Sequence, residues 1–321
     1  MGTLSEHFDG LIVRTGASYQ GLWIFPVCLV APEFDKSAGE FRTLEEGLRA
    51  GTLRVSETGD MGRVLVGNRN GARAVMLEGE TLVGGAQNRM INAGAALAPG
   101  AETELPSSCV ELHRWDCRTG EKDSIPDDKK YFQRSDIVFG SLKRLKLTGS
   151  LHSLHSDRRP AVDQQKVWKH IAGQFGVSGA ATRTLDLHDL YEFWDAPLRI
   201  FSSRFTVARN QVGLISFLDR HTWFADLFLN NDLLFKNFRK LVRAYSFDAL
   251  IRLEKEYRAP AGAPCLEDAR GILKTLRTAR LHPCETGPRG SAGNFFFSTA
   301  RFAGSALLDA GLLVHMTACS L

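Results

Sequence analysis

The sequence predicts an α+β protein, with a β-rich, sandwich-like N-terminal portion joined to an integrated mixed α/β C-terminal portion. Three observations predict it. Short apolar runs broken by Asn-Gly, Gly-Gly and Pro-Gly turns fill the first third. The clearest helical period comes late, where Leu234, Phe238, Leu241, Tyr245, Ala249 and Leu253 recur at steps of three or four. A chain of 321 residues, 44% hydrophobic, can bury one sizeable core or two smaller ones. Residues 1–125 make the first portion and 126–321 the second, as two units or as one continuous domain.

Leu22–Val30 reads as an apolar strand, and Pro26 favours an edge or a bend because it cannot donate to a ladder. Phe41–Ala50 reads as a short helix with Leu44 and Leu48 on one face. In VLVGNRNGARAVML, two β-rich runs flank Asn70-Gly71, a hairpin signal because that pair tolerates positive φ. Glu78-Gly79 marks a turn and Thr81–Val83 an extended run. Arg89–Leu97 and Glu102–Leu105 are further strands around Pro99-Gly100. The polar stretches 117–130 and TGSLHSLHSDRRPAV (148–162) read as exposed excursions, with a boundary between 117 and 162. A helix follows from near Asp163. Asn210–Leu218 and HTWFADLF read as sheet, and Asn231 as the cap of a helix from about Asp232 to Tyr257. Its polar side carries Lys236, Arg239, Lys240 and Arg243. Docking onto the adjacent sheet explains this amphipathic helix, and a membrane-surface role is the alternative. Leu266–Arg280 is another helix, and GSALLDAGLLVHMTA returns as a strand or a packed short helix.

Composition narrows the function classes. A formal charge of +4 is too small for this length to predict a nucleic-acid partner. The locally basic tract Lys143, Arg144, Lys146, Arg158 and Arg159 could attract phosphate, but few aromatics interleave it, and a solvated or salt-bridged face explains it better. Six cysteines without a regular framework fit free thiols in a reducing compartment as the simpler reading, with disulfides the alternative that an even count allows. The opening MGTLSEHFDG lacks a secretory signal, and LWIFPVCLVAP is too short to span a bilayer. A cytoplasmic protein with no membrane partner is the expectation, and oligomeric state is not legible. The glycine-rich pieces lack Walker and Rossmann chemistry, and no HExxH, EF-hand or GxSxG pattern occurs, so no cofactor is expected.

Two segments concentrate polar chemistry. VMLEGETLVGGAQNRMIN (75–92) holds Glu78, Glu80 and Gln87-Asn88-Arg89. The amides offer donors and acceptors, and arginine offers a planar fork for phosphate or carboxylate. The bland alternative is that the glutamates flank a hairpin glycine and the amides hold a turn. SSCVELHRW (107–115), if extended, projects Cys109, Glu111, His113, Trp115 and Cys117 to one face. Those donors suit zinc, but alternate residues on a strand lie roughly 6–7 Å apart. Buried thiols beside hydrogen-bonded groups are the simpler reading, and no metal is expected. Cys109 becomes a nucleophile only with a base from elsewhere, for which His221, His282 and His315 are remote candidates.

LEGETLVGGAQNR, SSCVELHRW and VGLISFLDRHTWFADLFLNNDLLFKNFRKLVRAYSFDAL together resemble the ADP-ribosylglycohydrolase- and phosphatase-associated protein family, over roughly residues 10–320. Glu80, Gln87, Asn88 and Arg89 look like its polar core motif, and Cys109, Glu111, Arg114 and Trp115 like its second. Ala86 stands where many relatives are expected to carry a basic residue, and His113 where a glycine is expected. The resemblance implies recognition or hydrolytic processing of an ADP-ribose-like or phosphorylated, nucleotide-derived small metabolite. Arg89 would contact phosphate, Gln87 and Asn88 would orient a base or ribose, and Glu78 and Trp115 would complete the ligand contacts. Glu80 or Glu111 would activate water, with Cys109 as the remaining catalytic candidate. A noncatalytic sensor or interaction module, and a nucleic-acid-associated module, are the alternatives.

Overall fold

The computed structural model describes residues 4–30, 40–113, 131–157, 162–255, 262–284 and 292–321. After a short 3-10 helix at Ser5–Phe8 come β1 (Leu11–Val13), β2 (Ala17–Tyr19), β3 (Leu22–Leu29), β4 (Phe41–Thr43) and α1 (Leu44–Arg49). Next are β5 (Leu53–Glu57), β6 (Arg63–Asn68), β7 (Arg73–Met76), β8 (Glu80–Gly84), β9 (Arg89–Ile91), β10 (Ala95–Leu97), β11 (Glu102–Cys109) and β12 (Phe132–Ile137). Four helices follow: α2 (Gly140–Asp157), α3 (Gln164–Ser178), α4 (Leu187–Phe193) and α5 (Asp195–Ser203). The remainder is β13 (Gln211–Phe217), β14 (Trp223–Phe228), α6 (Asn231–Glu254), α7 (Leu266–Arg277), β15 (His282–Cys284), β16 (Ala292–Ser298), β17 (Phe302–Asp309) and β18 (Leu312–Ser320).

The architecture is mixed α+β. Six strands run in the order β12-β8-β9-β11-β6-β5, and a single antiparallel bridge, Ser56 to Tyr131, brings the two edges together. The N-terminal β-rich region is therefore a near-barrel, filled by Val55, Val64, Val66, Leu82, Ile91, Leu105 and Phe132. Helix α1 packs on it and starts with a capping box, in which Thr43 and Glu46 satisfy each other's backbone N–H. The helix expected over Phe41–Ala50 is thus shorter, because Phe41–Thr43 pairs in parallel with β7.

A nine-stranded sheet, ordered β1-β3-β13-β14-β18-β17-β16-β15 with β2 also on β3, forms the second layer. Its strand β13 is buried along its whole length. Leu214 enters the core beneath α6, whereas Ile215 and Phe217 enter the core on the opposite face with Ala269 and Leu276 of α7. Burial on both faces explains the near-continuous apolar run VGLISF. Pro26 does not sit on an edge, since β3 has β13 on one side and β1 and β2 on the other. The Pro26 carbonyl accepts from Arg14 N at 3.0 Å, so the missing N–H points at the break between β1 and β2.

Other expectations are corrected by long-range pairing. Arg63–Asn68 and Arg73–Met76 do not form a hairpin: β6 pairs with β5 and β11, and β7 with β10 and β4. The Asn68 amide holds the turn instead, donating to Ala72 O, Leu97 O and Ala98 O at 3.0 Å each. Arg89–Leu97 likewise splits between two sheets as β9 and β10. Residues 148–157 are helical, as the end of α2, rather than loop. The cap of α6 is Asn230, one residue earlier than expected, with its side chain accepting from Leu233 N at 2.9 Å. GSALLDAGLLVHMTA lies in the β17–β18 hairpin, whose turn places Ala310 and Gly311 at φ 50 and 82. Among the described residues no helix is long and apolar enough to cross a membrane.

Candidate functional site

The first polar segment sits where the near-barrel, the large sheet and three helices converge, and each of its side chains reaches a different neighbour. Glu78 accepts from Lys146 of α2 and from Ser305 of β17. Glu80 accepts from Leu77 N at 2.8 Å and from Lys240 Nζ of α6 at 3.0 Å. Arg89 is fully enclosed. It donates to Glu57 Oε2 at 2.9 Å, to Met61 O at 2.7 Å and to Cys109 Sγ at 2.7 Å. Arg89 and Cys109 are direct partners in the β9–β11 register, which is why the thiol meets the guanidinium.

The second segment is not extended beyond Cys109. Strand β11 ends there, and the chain turns through Glu111 to His113. The alternation that would line up Cys109, Glu111 and His113 is therefore broken. Leu112 N and His113 N donate to Thr184 O at 2.9 and 3.0 Å, and Leu187 N donates to Val110 O at 3.0 Å. These bonds pin the turn to the start of α4. The Gln164 amide continues the β11 ladder, donating to Cys109 O at 2.7 Å and accepting from Cys109 N at 2.8 Å. Trp115, with Arg114 and Cys117, lies outside the described residues. The five described cysteines are free thiols, and no group of three or more metal-ligating side chains is poised for a metal among the described residues.

The two segments do meet. Gln87 Nε2 donates to Glu111 O at 2.9 Å, and Asn88 N donates to Glu111 Oε2 at 3.1 Å. The Asn88 side chain closes its own loop by accepting from Gly84 N at 2.9 Å, and it donates to Asp186 Oδ2 at 2.7 Å. Gly84 holds φ 124, and a Cβ there would fall 2.8 Å from Tyr131 O, so only glycine fits the bend. Gln87 Oε1 is buried without a hydrogen-bond partner among the described residues.

Asp186 leads to the arrangement with the most chemical potential. It caps α4 by accepting from His188 N at 3.1 Å, and its Oδ1 also lies 3.1 Å from His188 Nδ1. His188 Nε2 lies 2.9 Å from Thr81 Oγ1 in β8. An Nδ1–H tautomer satisfies both partners, donating to the carboxylate and accepting from the hydroxyl. Asn88 Nδ2 approaches Nδ1 at 3.4 Å, a longer contact between two donors that adds no bond. Burial pushes the Asp186 carboxyl upward, but hydrogen bonds from His188 and Asn88 hold it below its ordinary range. A carboxylate, an imidazole and a hydroxyl in sequence form the orienter, base and nucleophile order of hydrolytic sites. Thr81 and His188 are buried at 0% and 4% exposure.

A second enclosed network lies between α2 and the large sheet. Lys143 Nζ donates to Asp226 Oδ1 at 3.1 Å and to Tyr245 OH at 2.7 Å, Tyr245 donates to Asp226, and His315 Nε2 lies 3.2 Å from Asp226 Oδ1. Burial lowers the Lys146 amine below its usual range, and the Glu78 charge only partly offsets this. His315 is thus tied to Asp226, while His221 and His282 are exposed. The polar bonds of Cys109 come from Arg89 and Gln164.

Sequence reasoning missed Thr81, Asp186 and His188. Its available signal was Asp-Leu-His at a helix start, with the aspartate in the capping position. In the basic tract Lys143 and Lys146 form salt bridges, but at 1% and 0% exposure they point inward to carboxylates and not to a solvated face, and Arg158 and Arg159 lie outside the described residues. No curated protein and no solved structure matches the chain. A family model, the ARG and Rhodanese-Phosphatase-superfamily-associated Protein domain (ARPP-1), matches residues 10–319. With that match spanning nearly all of the near-barrel and the large sheet, the chain belongs to the ARPP-1 family.

Proposed function

We propose that this chain recognises and hydrolyses an ADP-ribose-like or phosphorylated small metabolite, with His188 as the proton acceptor. One observation carries this reading: Asp186, His188 and Thr81 stand in a hydrogen-bonded line that Asn88 ties to the Gln87–Glu111 segment. Asp186 orients the ring, and Nε2 takes the proton of Thr81, or of a water in its place, as the oxygen attacks phosphorus or an anomeric carbon. The bond from that atom to the leaving group breaks, and His188 returns the proton to the leaving group. A Thr81 adduct is released by a water that attacks in the same way. Gln87, Asn88 and Glu111 form the adjoining hydrogen-bonded segment. The family's name, which associates it with phosphatases, supports the reaction class. Arg89 and Glu80 are held in ion pairs, so we assign them to holding the loop.

A noncatalytic sensor is the second reading, favoured by the enclosure of Thr81 at 0% exposure. Assays with ADP-ribose, ADP-ribosylated peptide and p-nitrophenyl phosphate separate the two. Turnover that falls about 10²-fold or more in His188→Ala, with folding and ligand binding kept, supports hydrolysis. Binding without turnover in the wild type supports the sensor. Full turnover in both His188→Ala and Asp186→Asn would remove His188 from the chemistry.

A further inference from the structure

At the N-terminal end of α6, a groove of about 710 Å³ opens between this helix and the segment that follows α5. Its size falls within the range of about 300–1,000 Å³ typical of small-molecule sites. Asn231, Phe235 and Arg239 recur at i, i+4 and i+8 on α6 and so form one stripe along it. Phe235 is 68% exposed, unusual for so large an apolar ring. Phe205 and Phe238 line the floor as buried rings, and Arg209 joins from the segment before β13.

The charge of this groove is one-sided. Both arginines are exposed, no acidic residue lines the groove, and neither arginine has an ion-pair or hydrogen-bond partner among the described residues. The other cations of α6 are all engaged: Lys236 with Glu46 and Asp232, Lys240 with Glu80, Arg243 with Asp136 and Arg252 with Asp219. Two planar donor forks, a free aromatic face and the positive end of a 24-residue helix therefore share one cleft.

We propose that this groove binds a ligand that joins an aromatic ring to a phosphate, the nucleotide class. The ring stacks on Phe235, and the phosphate is held by Arg209 and Arg239. The groove is separate from the His188 centre. None of its lining residues belongs to the Asp186–His188–Thr81 line, and Arg243, which donates to Tyr191 O of α4, lies about 6 Å beyond Arg239 along α6 at about 1.5 Å per residue.

The test is calorimetric titration of the full chain with AMP, adenosine and inorganic phosphate at low salt. AMP is expected to bind more tightly than either half. Arg209→Ala/Arg239→Ala is expected to weaken AMP at least about tenfold and to spare adenosine. Phe235→Ala is expected to weaken AMP and adenosine alike by about tenfold and to spare phosphate. All three positions are exposed, so a thermal melt matching the wild type accompanies each variant. His188→Ala is expected to leave AMP binding unchanged, which keeps this result distinct from the catalytic reading. The proposal is overturned if AMP does not bind at millimolar concentration, or binds the groove variants as it binds the wild type. It is equally overturned if an acidic aromatic peptide such as Glu-Phe-Glu binds the groove while AMP does not.

Discussion

The Arg89 guanidinium and the Glu57 carboxylate meet at 2.9 Å with neither side chain exposed. Arg89 fixes three separate parts of the near-barrel at once, because it also reaches Met61 O and Cys109 Sγ. A buried ion is tolerated only while paired, so removing one partner leaves an uncompensated charge. Arg89→Met and Glu57→Gln are each expected to cost about 3–5 kcal/mol in urea unfolding. The double variant Arg89→Met/Glu57→Gln is expected to recover part of the summed loss, because no unpaired charge remains. Strictly additive losses would show that the two residues do not act as a pair.

Cys109 is expected to be inert in the native protein. Burial pushes its thiol above the usual range, more than the neighbouring Arg89 charge draws it down. Since the thiolate is the reactive form, brief iodoacetamide treatment followed by peptide mapping is expected to label exposed Cys265 ahead of Cys28, Cys109, Cys284 and Cys319. Denaturant is expected to level these rates. Fast native labelling of Cys109 would restore it as a nucleophile.

These two cases show what the residues reveal along the chain and what they do not. Helix α6 and strand β13 are legible because their apolar periods are long and local. Arg89 and Asn88 are legible as a polar cluster, since such groups are conspicuous between β-rich runs. Their partners are not, because Glu57 lies 32 residues from Arg89 and Asp186 lies 98 residues from Asn88. The Asn70-Gly71 hairpin fails for the same reason: local turn chemistry is overruled when β7 finds its partners in β10 and β4. Residues 148–157 read as loop from Thr, Gly, Ser and His, yet they continue a helix whose earlier turns are anchored by Lys143 and Lys146. Tertiary contacts outweigh weak propensity there.

Asp219 gives a prediction for acid. Burial would raise its carboxyl, but Arg252 Nη1 at 2.6 Å and the His221 and Thr222 amides at 2.7 Å hold it down to about 2. A depressed carboxyl contributes stability that is fully present above its unfolded value and is lost as pH falls through the folded one. The wild type is therefore expected to lose stability between about pH 4 and pH 2, and Asp219→Asn to lose less across that window. Urea midpoints measured from pH 6 to pH 2 give the two slopes. Parallel slopes would mean that Asp219 titrates normally in the fold.

Asp226 is the acceptor on which the second network depends. It is fully buried, and although burial alone would raise its carboxyl, Lys143, His315 and Tyr245 together hold it far below the ordinary range. Its contribution to stability is therefore present throughout the neutral range and is lost only in strong acid. Neutralising it leaves the Lys143 ammonium, 1% exposed, without a counter-charge. Asp226→Asn is expected to cost about 3–5 kcal/mol. Tyr245→Phe removes two hydrogen bonds, the one donated to Asp226 and the one accepted from Lys143, while Lys143 and His315 still hold the carboxylate, so about 2 kcal/mol is expected. Lys143→Met exposes the converse, a buried carboxylate with only Tyr245 and His315 as donors, and is expected to fall near Asp226→Asn. Guanidinium unfolding of the three variants gives the order. A Tyr245→Phe loss as large as the Asp226→Asn loss would place the energetic centre of the network on the phenol instead of the charge pair.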